Sequence, residues 1–169
     1  WLTGPKTNMD KVLDGLGAYT PNFEDHAAMV LVGDGRTGEW SRFFGFPNPD
    51  RIMEQVNVLD AEPGTAAPTP SELAAEEKAR NYFTDLEVVD QNGKRMRFYS
   101  DVLKGRVVLL NFIFTNCKDA CPMPTQKMIQ VRSELAPVVK EDVWFVSISV
   151  APQRDTPGAL KAFTEKMQL

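Results

Sequence analysis

The chain has 169 residues and a mass of 18.9 kDa, enough for one well-buried core and short for two, since domains cluster at roughly 100–150 residues. Apolar residues make up 43% and charged residues 25% of it, so neither disorder nor a fibrous repeat is indicated. The formal charge is −4 with no Lys/Arg block, which argues against the basic surface that a nucleic-acid partner requires.

The chain opens with a short stretch at Trp1, Leu2 and Thr3. Met9, Val12, Leu13 and Leu16 stand at helical spacing and predict a helix over 8–16, stopped by Gly17. Residues 27–32 form an apolar, partly β-branched run, and 39–44 follow a Gly-rich turn, so the two predict a hairpin. Gly33-Asp34-Gly35 precedes no helix and reads as part of that turn, not as a phosphate cradle. After Pro47 and Pro49, Asp50 is placed to cap a helix carrying Ile52, Val56 and Leu59 on one side. Over 61–70, Pro, Gly, Ala and Thr replace any periodic apolar pattern, the mark of a linker.

Beyond the linker, Ser71 opens a short polar helix, and 86–89 and 95–99 flank Asn92-Gly93 as a second hairpin. Residues 107–114 predict a buried strand. This is the longest strongly apolar run, is interrupted by Asn111, and falls far short of the ~20 residues that cross a bilayer. No signal peptide is seen, although a chain opening at Trp1 rather than Met leaves room for an anchor lost by processing. A helix over 120–135, a strand over 143–150 and a helix over 156–167, with Pro157 near its start, complete the chain. Strands alternating with helices predict a single α/β domain over 1–169 whose partly parallel sheet is covered on both faces.

Cys117 and Cys121 are the two cysteines, too few for a disulfide-stapled scaffold and suggestive of a metal or redox pair. They fall where a buried strand gives way to a helix, a common place for sites in α/β folds. If Cys121 enters the first helical turn, the unpaired N–H groups and the dipole there favour thiolate, which is both nucleophile and metal ligand. Soft sulfur suits Cu(I) or zinc, an added imidazole suits both copper oxidation states, and oxidation to a disulfide is equally open. The plainer reading is two small core residues on a helix. His26, the one histidine, taken alone reads as a packed or exposed side chain. Asp119 and Asp155 could tune the charge of a site or cap the helices after them, with capping the simpler role for Asp155. Met123 could offer a thioether but reads as core filler, and Phe112 and Phe114 read as packing residues.

Residues 107–122 and 143–157, taken together, resemble the Sco/SenC family of copper proteins. The resemblance implies a thioredoxin-like fold, with a central mixed sheet flanked by helices and the family's N-terminal hairpin at 85–99. It also implies copper delivery to the CuA centre of cytochrome c oxidase, and thiol–disulfide exchange. Leu2-Thr3-Gly4, Asp25-His26-Ala27-Ala28 and 40–47 are similar to the part of the family that follows the Asp155-Thr156-Pro157 helix, and His26 matches its copper-binding histidine. On this resemblance Cys117, Cys121 and His26 are the ligands of a copper ion, Cu(I) or Cu(II), and Cys117 with Cys121 is the redox pair. The chain departs from the family at Ala151, where an acidic residue is common, and at Lys118, where proline is common; Lys118 would favour the thiolate.

The order is inverted, with the family's C-terminal half at 1–60 and its N-terminal half at 71–169. A circular permutation joined through 61–70 explains this, its new ends opened in a surface loop. A piece cut from tandem domains, each half completed by another chain in a domain-swapped oligomer, explains it too. The implied role is a copper metallochaperone with cytochrome c oxidase subunit II as acceptor. The alternatives are a thiol–disulfide oxidoreductase acting on partner cysteines, with His26 only tuning reactivity, and a scaffold that assembles no site. The implied location is the bacterial periplasm or cell envelope, with any membrane anchor outside this chain, or the mitochondrial inner membrane facing the intermembrane space.

Overall fold

A computed structural model describes residues 1–45, 47–60, 77, 80–116, 122–135 and 143–167. The linker at 61–70, the helix start at Ser71, Lys118, Asp119 and both cysteines lie outside these residues, as does the side chain of Met123.

The described strands are β1 (Leu2–Thr3), β2 (Met29–Asp34), β3 (Trp40–Phe44), β4 (Glu87–Asp90), β5 (Arg95–Arg97), β6 (Val107–Ile113) and β7 (Val143–Ser149). They form one mixed sheet in the order β3-β2-β6-β7-β1-β4-β5. β6 and β7 run parallel from Val107 opposite Val143 to Ile113 opposite Ser149, and Leu2 of β1 pairs parallel with Ile148 of β7. The other pairings are antiparallel: β2 with β3, β2 with β6, β1 with β4, and β4 with β5. Strands from either side of the linker are therefore interleaved, with β1 between β7 and β4, and β2 against β6.

Among the described residues, the helices α1 (Lys6–Gly15), α2 (Pro49–Asp60), α3 (Pro122–Leu135) and α4 (Pro157–Lys166) cover the sheet. The two-residue period of β6 divides its side chains between the faces. Val108, Leu110 and Phe112 meet Met9, Val12 and Leu13 of α1 in one core. Val107 and Leu109 join Ile52 and Val56 of α2 and Met128 and Val131 of α3 in a second core, and Ile113 meets Leu160 and Phe163 of α4. Buried on both faces, β6 is the near-continuous apolar run expected of a central strand. Each fully buried aliphatic side chain of this kind contributes roughly 1.5–3 kcal/mol. A mixed sheet with helices on both faces is the α/β, thioredoxin-like architecture that the resemblance implies.

Element ends differ from expectation for local reasons. The carbonyl of Pro5 accepts from the amides of Asn8 and Met9, so α1 begins before the periodic apolar residues. Gly17 ends that turn with φ of +64°, donating to the Asp14 carbonyl. At α2 the cap is Asn48, not Asp50: Asn48 Oδ1 accepts from the Asp50 amide at 3.0 Å, and Pro49 occupies the first turn.

β5 stops at Arg97, and Phe98 and Tyr99 leave the expected strand for a π-helical turn, Phe98–Leu103. Asp101 accepts from the Arg97 amide at 2.6 Å, and the turn buries Phe98, Tyr99, Val102 and Leu103 together. No helix among the described residues is long and apolar enough to cross a membrane.

Candidate metal centre

β6 ends at Ile113, and Phe114, Thr115 and Asn116 carry the chain from its C-terminal end toward Cys117. The ring of Phe114 packs edge-on against two others, Phe23 at 5.2 Å between centroids and His26 at 5.5 Å. Such edge-to-face pairs contribute ~0.5–1.5 kcal/mol beyond the area they bury. They fix His26, from the approach to β2, beside the strand end that leads into the cysteine motif.

His26 closes a short 3₁₀ turn, Phe23–Asp25. Asn22 holds this turn at its start: its side-chain oxygen accepts from the Glu24 amide at 3.3 Å and its side-chain nitrogen donates to Asp25 at 3.1 Å. The turn aims the Phe23 carbonyl at the imidazole, 2.9 Å from Nδ1. A carbonyl oxygen only accepts, so Nδ1 carries the proton and, in the neutral ring, Nε2 keeps its lone pair. Histidine ligands of metals are held in this way, one ring nitrogen tied to an acceptor and the other free to bind.

Asp155 does not cap α4. That role belongs to Thr156, whose Oγ1 accepts from the Ala159 amide at 3.3 Å. Asp155 is 1% exposed and turns instead toward the end of β6. Its carboxylate accepts from the Thr115 amide at 3.2 Å to each oxygen, from Thr115 Oγ1 at 2.6 Å and from Ser149 Oγ at 2.7 Å. Ser149 Oγ in turn accepts from the Ala151 amide at 3.0 Å. Sequence reasoning missed Thr115 and Ser149; an Asp ahead of Thr-Pro is a cap signal, and nothing local names donors across the sheet.

Around this cluster the charges are mixed. The Arg154 guanidinium lies 5.4 Å from the centre of the Phe23 ring, and Glu24 and Asp25 are exposed beside His26. Ala151 is buried, so the position where the resemblance led to expect an acid contributes no charge here. Behind the site, Ser147 Oγ donates to Asn111 Oδ1 at 2.5 Å between the paired strands β6 and β7. Phe112 is a core residue as expected, and Phe114 packs too, but on the histidine.

The structure thus brings His26, Phe23, Phe114, Thr115 and Asp155 into one cluster. Cys117 and Cys121, like Asp119, fall outside the described residues, and the described flanks are Asn116 before them and Pro122, the first residue of α3, after them. Among the described residues no group of three or more His, Cys, Asp or Glu side chains is placed to hold a metal ion.

Residues 74–169 match the SCO1/SenC family. The chain is 44% identical over 79 residues to an SCO2-like protein of Rickettsia conorii, covering 47% of this chain and 37% of that protein. Over 112 residues it is 40% identical to a protein of Stutzerimonas stutzeri named for copper binding, covering 66% of this chain and 46% of the relative. Over 80 residues it is 40% identical to the SCO1 homologue of Bacillus subtilis, covering 47% and 40%. The chain therefore spans less than half the length of these relatives. No solved structure matches it.

Proposed function

The chain belongs to the SCO1/SenC family, and on that premise we propose that it binds copper through Cys117, Cys121 and Nε2 of His26 and delivers it for assembly of the CuA site of cytochrome c oxidase. A copper-related role follows from the family and from a relative named for copper binding. The observation that supports the ligand set is the fixing of His26: its Nδ1 donates to the Phe23 carbonyl, and its ring stands against Phe114, three residues before Cys117.

In this reading two thiolates and one neutral imidazole hold the ion, a donor set soft enough for Cu(I) and still able to hold Cu(II). The start of α3 directly after Cys121 favours the thiolate form the metal needs. Transfer is ligand exchange, in which donors of the acceptor, cytochrome c oxidase subunit II, replace these three in turn and no electrons change hands. The setting is the periplasmic face of the bacterial envelope; matching relatives include bacterial and mitochondrial proteins. We read residues 1–60 and 71–169 as the later and earlier halves of one permuted domain. The family match begins at residue 74, while β1 and β2, from before the linker, complete the sheet beside β7 and β6.

His26→Ala tests the reading. Loss of partners that merely orient a metal ligand costs 10–100-fold in affinity, so removal of the ligand is expected to lower Cu(I) affinity of the reduced protein by at least about tenfold. Exchange of the two thiols with a small disulfide should stay within a few-fold of the parent. Unchanged copper affinity would overturn the three-ligand site, and a fall confined to thiol exchange would favour the oxidoreductase.

A further inference from the structure

We infer that Asp155 is a positioning residue for the copper site, setting the segment that leads into Cys117 against the segment that carries His26; this rests on the copper-binding reading above. Asp155 is almost fully buried and takes part in none of the ion pairs among the described residues. A buried carboxylate with no cation is costly unless hydrogen bonds satisfy its oxygens. Here the donors that do so come from two strand exits: the amide and hydroxyl of Thr115 after β6, and the hydroxyl of Ser149 at the end of β7. A helix cap would explain none of these contacts, and the cap of α4 is supplied by Thr156.

The consequence runs through Thr115. Held at both main chain and side chain, it fixes its neighbour Phe114, whose ring packs on His26 and on Phe23, the residue whose carbonyl orients the imidazole. On its other side the chain reaches Cys117 two residues later. One carboxylate therefore refers both ligand-bearing segments to a single frame. Metal affinity depends on donors held near binding geometry before the ion arrives, and supporting hydrogen bonds supply that order.

The test compares Asp155→Ala, Asp155→Asn and Thr115→Val with Val56→Ala. Val56 is buried on α2 and touches none of these groups, so its variant loses stability without disturbing the clamp. The parent protein is first titrated with Cu(I) in competition with a chromogenic chelator; failure to bind one equivalent would sink the copper reading itself and this role with it. With binding in hand, Asp155→Ala is expected to lose roughly 10–100-fold in Cu(I) affinity and to lose hydrogen-exchange protection at the Thr115 amide. Asp155→Asn should recover most of the affinity, because its amide oxygen still accepts from Thr115 and the Ser149 hydroxyl can rotate to accept. Thr115→Val, which keeps the amide donor and the carboxylate and removes only the hydroxyl, should lose several-fold. Val56→Ala should stay within about twofold. Full affinity with a protected Thr115 amide in Asp155→Ala would overturn the inference, and so would an equal loss in Val56→Ala, which would reduce the effect to stability.

Discussion

His26 and Phe114 stand edge to face, 5.5 Å between ring centroids and 80° between planes, so a histidine ahead of β2 is seated on the exit of β6. The contact joins two segments that are remote in the chain, and it sets the imidazole against a residue three positions before Cys117.

Phe114→Ala removes both of the ring contacts that hold this corner. Full truncation of a core phenylalanine costs ~3–5 kcal/mol, and Phe114 is only half-buried, so a loss of about 2 kcal/mol is expected in urea denaturation. The His26 ring proton resonances should also shift as the ring current of Phe114 disappears. Phe114→Leu should restore most of the stability but not those shifts; unmoved resonances in both variants would refute the contact.

Asn111 and Ser147 form a buried polar pair in the sheet interior, and the side-chain nitrogen of Asn111 has no partner among the described residues. Ser147→Ala strands the carbonyl oxygen as well, at a cost of about 1–3 kcal/mol. Replacing both, Asn111→Leu with Ser147→Ala, removes the polar groups together and should be more stable than Ser147→Ala alone. A double-mutant cycle by urea denaturation measures this, and a double variant weaker than the single one would contradict it.

Asp85 supplies a pH dependence. Burial alone raises its pKa, but hydrogen bonds from the amide and hydroxyl of Ser100, with Arg80 nearby, outweigh it and hold the carboxyl below its ordinary value of 3.8. A lowered folded-state pKa stabilises the fold at pH values above the unfolded one, and that contribution fades as pH falls through the folded value. Thermal unfolding of the parent should therefore lose stability below pH ~4 more steeply than Asp85→Asn, with the two curves converging in strong acid. Parallel curves from pH 7 to pH 2 would count against it.

Among the described glycines, Gly35 is the one where an added Cβ would meet its neighbour at the shortest distance. A Cβ there would lie 1.8 Å from the Leu103 carbonyl oxygen, a backbone atom that cannot swing aside, and the Gly35 amide donates to the Arg106 carbonyl. Gly35→Ala should cost more than about 3 kcal/mol, beyond the usual range of point substitutions. Gly38→Ala, with open space around it but φ of +77°, should cost only about 1 kcal/mol. Comparable melting temperatures for the two would refute the steric account.

Local apolar pattern along the chain was enough to place most of the described elements. The near-continuous apolar run over 107–113 marks a doubly buried strand, and Met9, Val12 and Leu13 mark a helix face, because backbone geometry sets which side chains share a face. Where the elements end was less legible: Asn48 displaces Asp50 as a cap, and Phe98 and Tyr99 turn inward in place of extending β5. The candidate site was suggested by its residue types, two cysteines at the end of a strand. The pairing of His26 with the two cysteines came from likeness to a family, since nothing in the spacing of those residues connects them.

Folding chose what no local pattern could. Leu2 and Thr3, a two-residue strand, gain their place only between β7 and β4. Asp155 looks like a helix cap until the end of β6 brings Thr115 to it from forty positions away. Periodicity is written in neighbouring residues and survives in any reading of the chain. The donors that satisfy a buried carboxylate, and the ring that steadies an imidazole, are selected by which strands lie side by side once the whole sheet has closed.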